Sequence, residues 1–203
     1  MSTTAIPAKD VAELRQRTGA GMMDCKKALE EASGNMEKAM ELLQARGIAK
    51  AEKRAGRTAG AGLIYSYIHH NAQVGVLLEI TCETDFVART EDFKALAREV
   101  ALHIASHDPS PIAVTPEEIP ADLVERERRV AEQQVAEENK PENIRGKIID
   151  GKVKKFLADR SLTEQKFVKD TEKSVGQLIK EVSGKLGEAV TVRRFARFKI
   201  GEV

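Results

Sequence analysis

Tryptophan is absent from this 203-residue chain, and aromatic residues together make up only 4% of it. A core with so few rings has to be aliphatic, and the spacing of its aliphatic residues reads as largely helical. Cysteine occurs twice, as Cys25 and Cys82. No disulfide framework can be read from two cysteines, which suits a reducing compartment. A charge excess is lacking too: 33 Lys and Arg stand against 32 Asp and Glu, for a net +1. Overall charge therefore gives no argument for a nucleic-acid or membrane partner. No apolar run approaches the length of a membrane span, and the N-terminus lacks a basic segment followed by an apolar one. The expected location is the cytoplasm, with no membrane partner.

Catalytic patterns are missing as well. A nucleotide-hydrolysing phosphate loop needs Gly-x-x-x-x-Gly-Lys-Ser/Thr. Gly184-Lys185 is followed by Leu186 and has no earlier glycine at the required position. Gly19-Ala20-Gly21 and Gly60-Ala61-Gly62 each lack the third glycine of a dinucleotide fingerprint. His103 and His107 share a helix face four residues apart, but no Glu follows His103 as a metalloprotease requires. Surface or half-buried histidines are the better reading. His69 and His70 are adjacent, so on a strand they face opposite sides. Glu83 and Asp85 form a carboxylate pair with no nucleophile near them in sequence. The expectation is no enzyme, no cofactor and no metal site.

What is present is 41% hydrophobic and 32% charged residues, the balance of a globular protein with one or two small domains. Residues 8–54 read as a three-helix module resembling the ubiquitin-associated fold. Val11 and Leu14 mark a first helix, stopped by Gly19 and Gly21. Met22, Met23, Ala28, Leu29 and Ala32 mark a second, in which one of the two methionines is expected to face out. Asn35 caps a third, closed by Gly47. Residues 55–62, basic and then small and Gly-rich, read as a linker between module 1–54 and core domain 63–203.

Residues 63–70 and 74–82 are rich in β-branched and aromatic residues and read as an antiparallel hairpin. Thr90 then caps a helix whose stripe is Phe93, Leu96, Ala97, Val100, Ala101 and Ile104, expected to lie on the hairpin. Residues 108–120 hold four of the six prolines and read as a loop. Residues 121–158 read as a projecting helical hairpin joined at Asn139-Lys140-Pro141, with Pro141 at a first helical position. Residues 171–185 read as a helix and residues 189–200 as a last strand. That strand carries Val190, Val192, Phe198 and Ile200 on one side and Phe195 on the other. The fold class is α+β: a three-helix module, then a three-stranded antiparallel sheet packed with helices and a helical hairpin.

The stretch Glu83-Thr84-Asp85-Phe86-Val87-Ala88-Arg89 joins the second strand to the striped helix. Binding residues tend to lie on connections held by a rigid scaffold. The pattern leaves two readings open. Phe86 either folds back into its own core while Asp85 solvates the turn, or is displayed.

Cys82-Glu83-Thr84-Asp85-Phe86-Val87-Ala88-Arg89 is similar to one motif of bacterial translation elongation factor Ts. Thr18-Gly19-Ala20-Gly21-Met22-Met23-Asp24-Cys25-Lys26-Lys27-Ala28-Leu29 resembles the family's N-terminal motif. The Arg193-Arg194-Phe195 strand and the Asn139-Lys140-Pro141 turn agree as well, and the resemblance covers nearly the whole chain. It implies a guanine-nucleotide exchange factor that binds the GTPase elongation factor Tu and promotes GDP release, without being an enzyme itself. It implies that Thr84, Asp85, Phe86 and Val87 dock near the GTPase's magnesium and dislodge it, and that Arg17, Met22 and Met23 grip the nucleotide-binding domain. Longer members of the family have two related core halves. The single half here implies a homodimer. The alternative class is an RNA-binding protein, favoured by the basic residues from 46 to 57 and by Arg193, Arg194, Arg197 and Lys199, and disfavoured by net charge and scarce aromatics.

Overall fold

A computed structural model describes residues 6–54, 56–138 and 141–202. The chain forms two compact units that interleave in sequence. The first comprises Met1–Gly62, Thr81–Leu96 and Ile179–Thr191; the second comprises Leu63–Ile80, Ala97–Leu178 and Val192–Val203.

The first unit begins with α1 (Ala8–Thr18), α2 (Met22–Glu31) and α3 (Met36–Arg54). Val11 and Leu14 on α1, Cys25, Ala28 and Leu29 on α2, and Ala39 and Leu43 on α3 follow steps of three and four and make one buried cluster. α1 stops at Gly19, whose φ of 69° a side chain would strain. Asn35 caps α3 as expected, its Oδ1 accepting from Lys38 N–H at 3.0 Å. Gly47 does not end α3, contrary to the sequence reading, and the helix continues to Arg54. At Gly47 the helix passes close to Gly184, where an added Cβ would lie 2.6 Å from the Gly47 carbonyl oxygen. Gly184 belongs to α8 (Val175–Leu186), and only bare backbone allows that approach. Gln44 donates to Glu181 at 2.6 Å and Lys180 to Glu52 at 2.9 Å along the same contact. Eight mostly small buried residues are a thin core for a module of this size, so these contacts add to what holds it.

The second unit carries most of a three-stranded antiparallel sheet in the order β1 (Ala61–Ile68), β2 (Val74–Cys82), β5 (Thr191–Lys199). The last two residues of the expected linker, Ala61 and Gly62, thus belong to a strand, and Ala55 lies outside the described residues. His69 N–H donates to Val74 O at 2.9 Å to close the first hairpin. Val74, Val76, Leu78, Ile80 and Cys82 are buried at alternate positions of β2. All six stripe residues of α5 (Glu91–Ser106) are buried, and Phe93 N–H reaches Thr90 Oγ1 at 3.3 Å, the expected cap. On β5 the apolar residues differ in burial along the strand. Val190 and Val192 are buried, whereas Phe198 and Ile200 are 72% and 77% exposed, because burial along the strand ends after Val192.

The loop over residues 108–120 contains a short 3-10 turn, Pro116–Glu118. α6 (Ala121–Glu137) and α7 (Glu142–Arg160) form the helical hairpin. Asn139 and Lys140 lie outside the described residues, and Pro141 is the N-cap of α7 rather than its first helical residue. A two-stranded hairpin, β3 (Lys166–Phe167) with β4 (Asp170–Ser174), replaces the start of the helix expected over residues 171–185. Ser174 is the reason: its Oγ accepts from Gln177 N–H at 3.2 Å while Gln177 Oε1 accepts from Ser174 N–H at 2.7 Å. That reciprocal cap starts α8 at Val175.

At the base of the helical hairpin, His103 is fully buried. Its Nε2 faces Gln165 Oε1 at 2.9 Å, and its Nδ1 accepts from Val168 N–H at 3.3 Å. Gln165 Nε2 donates to Pro109 O and Asp159 O, so its oxygen is free only to accept and the imidazole proton sits on Nε2. Burial lowers the His103 pKa to about 4.

Candidate partner-docking site

The motif at residues 83–89 is not a plain loop. It forms α4 (Asp85–Ala88), a single helical turn between β2 and α5. So short a helix cannot hold itself, since nucleation leaves most of its backbone groups unpaired. Thr84 is its N-cap, the hydroxyl oxygen accepting from Val87 N–H at 3.3 Å. Thr90 closes the other end, its hydroxyl donating to Val87 O at 2.7 Å. Val87 and Ala88 are buried, at 6% and 9% exposure, and anchor the turn from within.

Phe86 is 78% exposed. The reading in which Phe86 folds back into its own core is therefore excluded. Asp85 stands beside it, paired with Arg89 at 2.8 Å where both side chains face solvent. Of the four residues singled out, Phe86 and Asp85 present their side chains, Thr84 caps, and Val87 points inward.

Two carboxylates from distant parts of the chain fasten the same turn. Glu188 accepts from Thr84 N–H at 3.0 Å and from the Thr84 hydroxyl at 2.6 Å. Glu83 accepts from Ala189 N–H at 2.8 Å and pairs with Arg57 at 3.4 Å. Each acid thus serves the residue next to the other. The Ala189 N–H, helped by Arg57, holds the Glu83 carboxyl below the usual carboxylate range. Burial raises the Cys82 thiol above its ordinary value, and the Glu188 carboxylate adds to this. Cys82 stays protonated and donates to Thr84 O at 3.1 Å. Glu188 was not singled out in the sequence. A Glu after Gly187 at a helix end carries no local signal.

The second group of expected residues lies in the same unit. Met22 and Met23 are 46% and 62% exposed, so neither faces the core, although only one was expected to point outward. They occupy the first turn of α2, ahead of the inward stripe that begins at Cys25. Arg17 pairs with Glu13 on α1 and lines a groove of about 460 Å³ with Gly19, Gly21, Gln44, Lys50 and Lys185. Lys185 spans Gly19, where a Cβ would lie 2.7 Å from its Cε, and ends on Asp92 at 2.8 Å.

The Thr84 hydroxyl is committed to Glu188, the Glu83 and Asp85 carboxylates are paired with cations, and the thiol of Cys82 is buried. Among the described residues no three His, Cys, Asp or Glu side chains gather as a metal site. None of the described helices is long and apolar enough to cross a membrane. What the turn displays is an exposed phenyl ring on a fastened backbone.

The family model described as elongation factor TS matches residues 2–202. The chain belongs to the elongation factor Ts family. Elongation factor Ts of Desulfosudis oleivorans is 51% identical over 197 residues, covering 97% of this chain and 98% of the relative. Those of Fervidobacterium nodosum and Thermosipho melanesiensis are each 52% identical over 97% of this chain, covering 99% and 100% of their own lengths. Membership in the elongation factor Ts family makes this a translation elongation factor, at work in protein biosynthesis. The match over residues 2–202 agrees with the resemblance carried by residues 18–29 and 82–89.

Proposed function

We propose that the protein binds the GTPase elongation factor Tu and accelerates its release of GDP, without catalysing a reaction of its own. The observation that carries the proposal is the exposure of Phe86 on a turn whose other members are buried or hydrogen-bonded. Burying a Phe side chain contributes about 1.5–3 kcal/mol. Lodged between partner helices, that ring holds them apart, and a displaced helix no longer orients the ligands of the partner's magnesium. The diphosphate then loses its principal counter-charge. Whatever factor the docked protein takes off GDP affinity, GDP takes off the affinity of the protein, so the contact discharges itself when nucleotide rebinds. Asp85, freed from Arg89, acts by hydrogen bonding or repulsion at the same place, and Val87 supports both from inside. Met22, Met23 and Arg17 supply a second grip, for which adaptable methionines are suited. Release of fluorescent GDP from purified elongation factor Tu tests the proposal. Release should speed up on adding the protein, and an unchanged rate at saturating protein would refute it.

The RNA-binding alternative weakens because six of its cations already face acids. Arg46 pairs with Glu31, Lys50 with Asp24, Arg57 with Glu83, Arg194 with Glu79, and Arg197 and Lys199 with Glu202.

The protein further acts, on this reading, as a cytoplasmic homodimer. Ile64, Ile68, Leu77, Phe198 and Ile200 leave at least half of their surface exposed on or beside the three strands of the sheet. Apolar surface gathered on one sheet invites a partner. Sedimentation equilibrium at micromolar concentration should give twice the monomer mass, in reductant as well as without it, and a single-chain mass would exclude the dimer.

A further inference from the structure

We infer that Glu188 is a positioning residue for Phe86, acting through Thr84. The inference rests on the exchange reading above and deepens it.

A threonine hydroxyl has one proton and two lone pairs. For Thr84 to cap α4, a lone pair must face Val87 N–H, which requires the proton to point elsewhere. Glu188 Oε1 takes that proton at 2.6 Å, and Oε2 takes Thr84 N–H at 3.0 Å. One carboxylate thereby fixes both the rotamer and the backbone of the cap, through charge-assisted bonds that are roughly twice as strong as neutral ones. Glu188 is itself held. Gly187 ends α8 at φ 77°, its N–H returning to Ser183 O at 2.9 Å, and the Ser183 hydroxyl donates to Glu188 O at 2.6 Å. On the far side, Ala189 N–H is fastened to Glu83 at 2.8 Å. The end of α8 and the start of α4 are thus locked by a reciprocal pair of acids.

The result is preorganisation. A turn of four residues left to itself would sample many directions for Phe86, and ordering it on contact would subtract from the energy available to move the partner. With Glu188 in place the ring is already aimed. Removing Glu188 leaves the ring, its exposure and its hydrophobic area unchanged and removes only the aim.

The test is a pair of backgrounds. Saturating rates of fluorescent GDP release from elongation factor Tu are measured for Glu188→Ala in the wild-type chain and in Phe86→Ala. Amide hydrogen exchange is followed at Val87 on the same samples. In the wild-type background the maximal rate should fall about tenfold, the size of one lost charge-assisted hydrogen bond, with little change in the half-saturating concentration. In the Phe86→Ala background Glu188→Ala should cost nothing further. The Val87 amide should lose protection while α5 keeps its own, and Glu188→Gln, which retains an acceptor, should recover part of both losses. Equal losses in the two backgrounds would overturn the inference, since Glu188 would then act without Phe86. Unchanged protection at Val87 would overturn it as well. If Glu188→Ala fails to fold, Glu188→Gln carries the same comparisons. If the wild-type protein releases no GDP, the exchange reading fails on its own, and the Val87 amide still decides whether Glu188 holds the turn.

Discussion

The turn at residues 83–90 and the helical hairpin of α6 and α7 both expose apolar side chains, and they are held in opposite ways. The four residues of α4 are fastened at both ends by hydroxyl caps, from outside by Glu188 and from within by Val87 and Ala88. The hairpin has 17 and 19 residues in its helices, yet only Ala131, Val135 and Val153 are buried along them. Ion pairs such as Arg128 with Asp150 lie at its surface and contribute little. A Cβ at Gly146 or Gly151 would touch nothing, so α7 carries two glycines that no packing requires. Polar contacts gather at its base, where Gln165 ties Asp159 to Pro109 and to His103 and Arg160 donates to Ser110 O at 3.0 Å, while Lys152 bridges the two helices to Gln134 at 2.6 Å.

Acid should strike that base hardest. His103 has its pKa lowered from 6.5 to about 4, so below 6.5 the unfolded chain takes up a proton that the folded chain refuses. The stability is fully present above pH 6.5 and is lost progressively down to about pH 4. The shift corresponds to roughly 3 kcal/mol. Glu83, whose pKa is also lowered, works in the same direction at lower pH, because its stability is present above the ordinary carboxylate value and lost as protonation proceeds. Urea denaturation between pH 7 and pH 4.5 checks this. If His103→Leu abolishes none of the slope between those pH values, another group carries it.

A smaller effect sharpens the comparison from the other side. Gly146→Ala and Gly151→Ala should each stabilise the hairpin by about 0.5–1 kcal/mol, by restricting the unfolded chain and favouring helix. The same change at Gly184 should destabilise, because a methyl group there meets the Gly47 backbone. Thermal unfolding of the three variants separates spare glycines from required ones, and a stabilised Gly184→Ala would mean that α3 and α8 do not cross so closely.

Much of the fold was legible because its signals are local. The two strands of the first hairpin, the α5 stripe and the Asn35 cap follow from periodicity and cap chemistry within a few residues. Gly47 misled because a glycine inside a helix and a glycine that ends one look alike in sequence, and the position where close approach demands a glycine is Gly184 on α8. The β3–β4 hairpin hid in polar residues, Asp170 to Ser174, whose fate was decided by the Ser174–Gln177 cap. At the candidate site the pattern located Phe86 but could not orient it. Orientation depends on Glu188, 104 residues away from Thr84, a distance at which no spacing rule applies.

Phe86 and Val87 are neighbours with opposite exposures, and comparing them tests the central claim most directly. Phe86→Ala and Val87→Ala should be measured together for unfolding free energy, for binding to elongation factor Tu, and for GDP release. Phe86→Ala should keep stability within about 0.5 kcal/mol of wild type. It should slow GDP release roughly ten- to a hundredfold, the equivalent of the buried ring, while other contacts preserve some binding. Val87→Ala should lose about 2 kcal/mol of stability, as a truncated core residue does. A Phe86→Ala protein that folds normally and releases GDP at the wild-type rate would contradict the account.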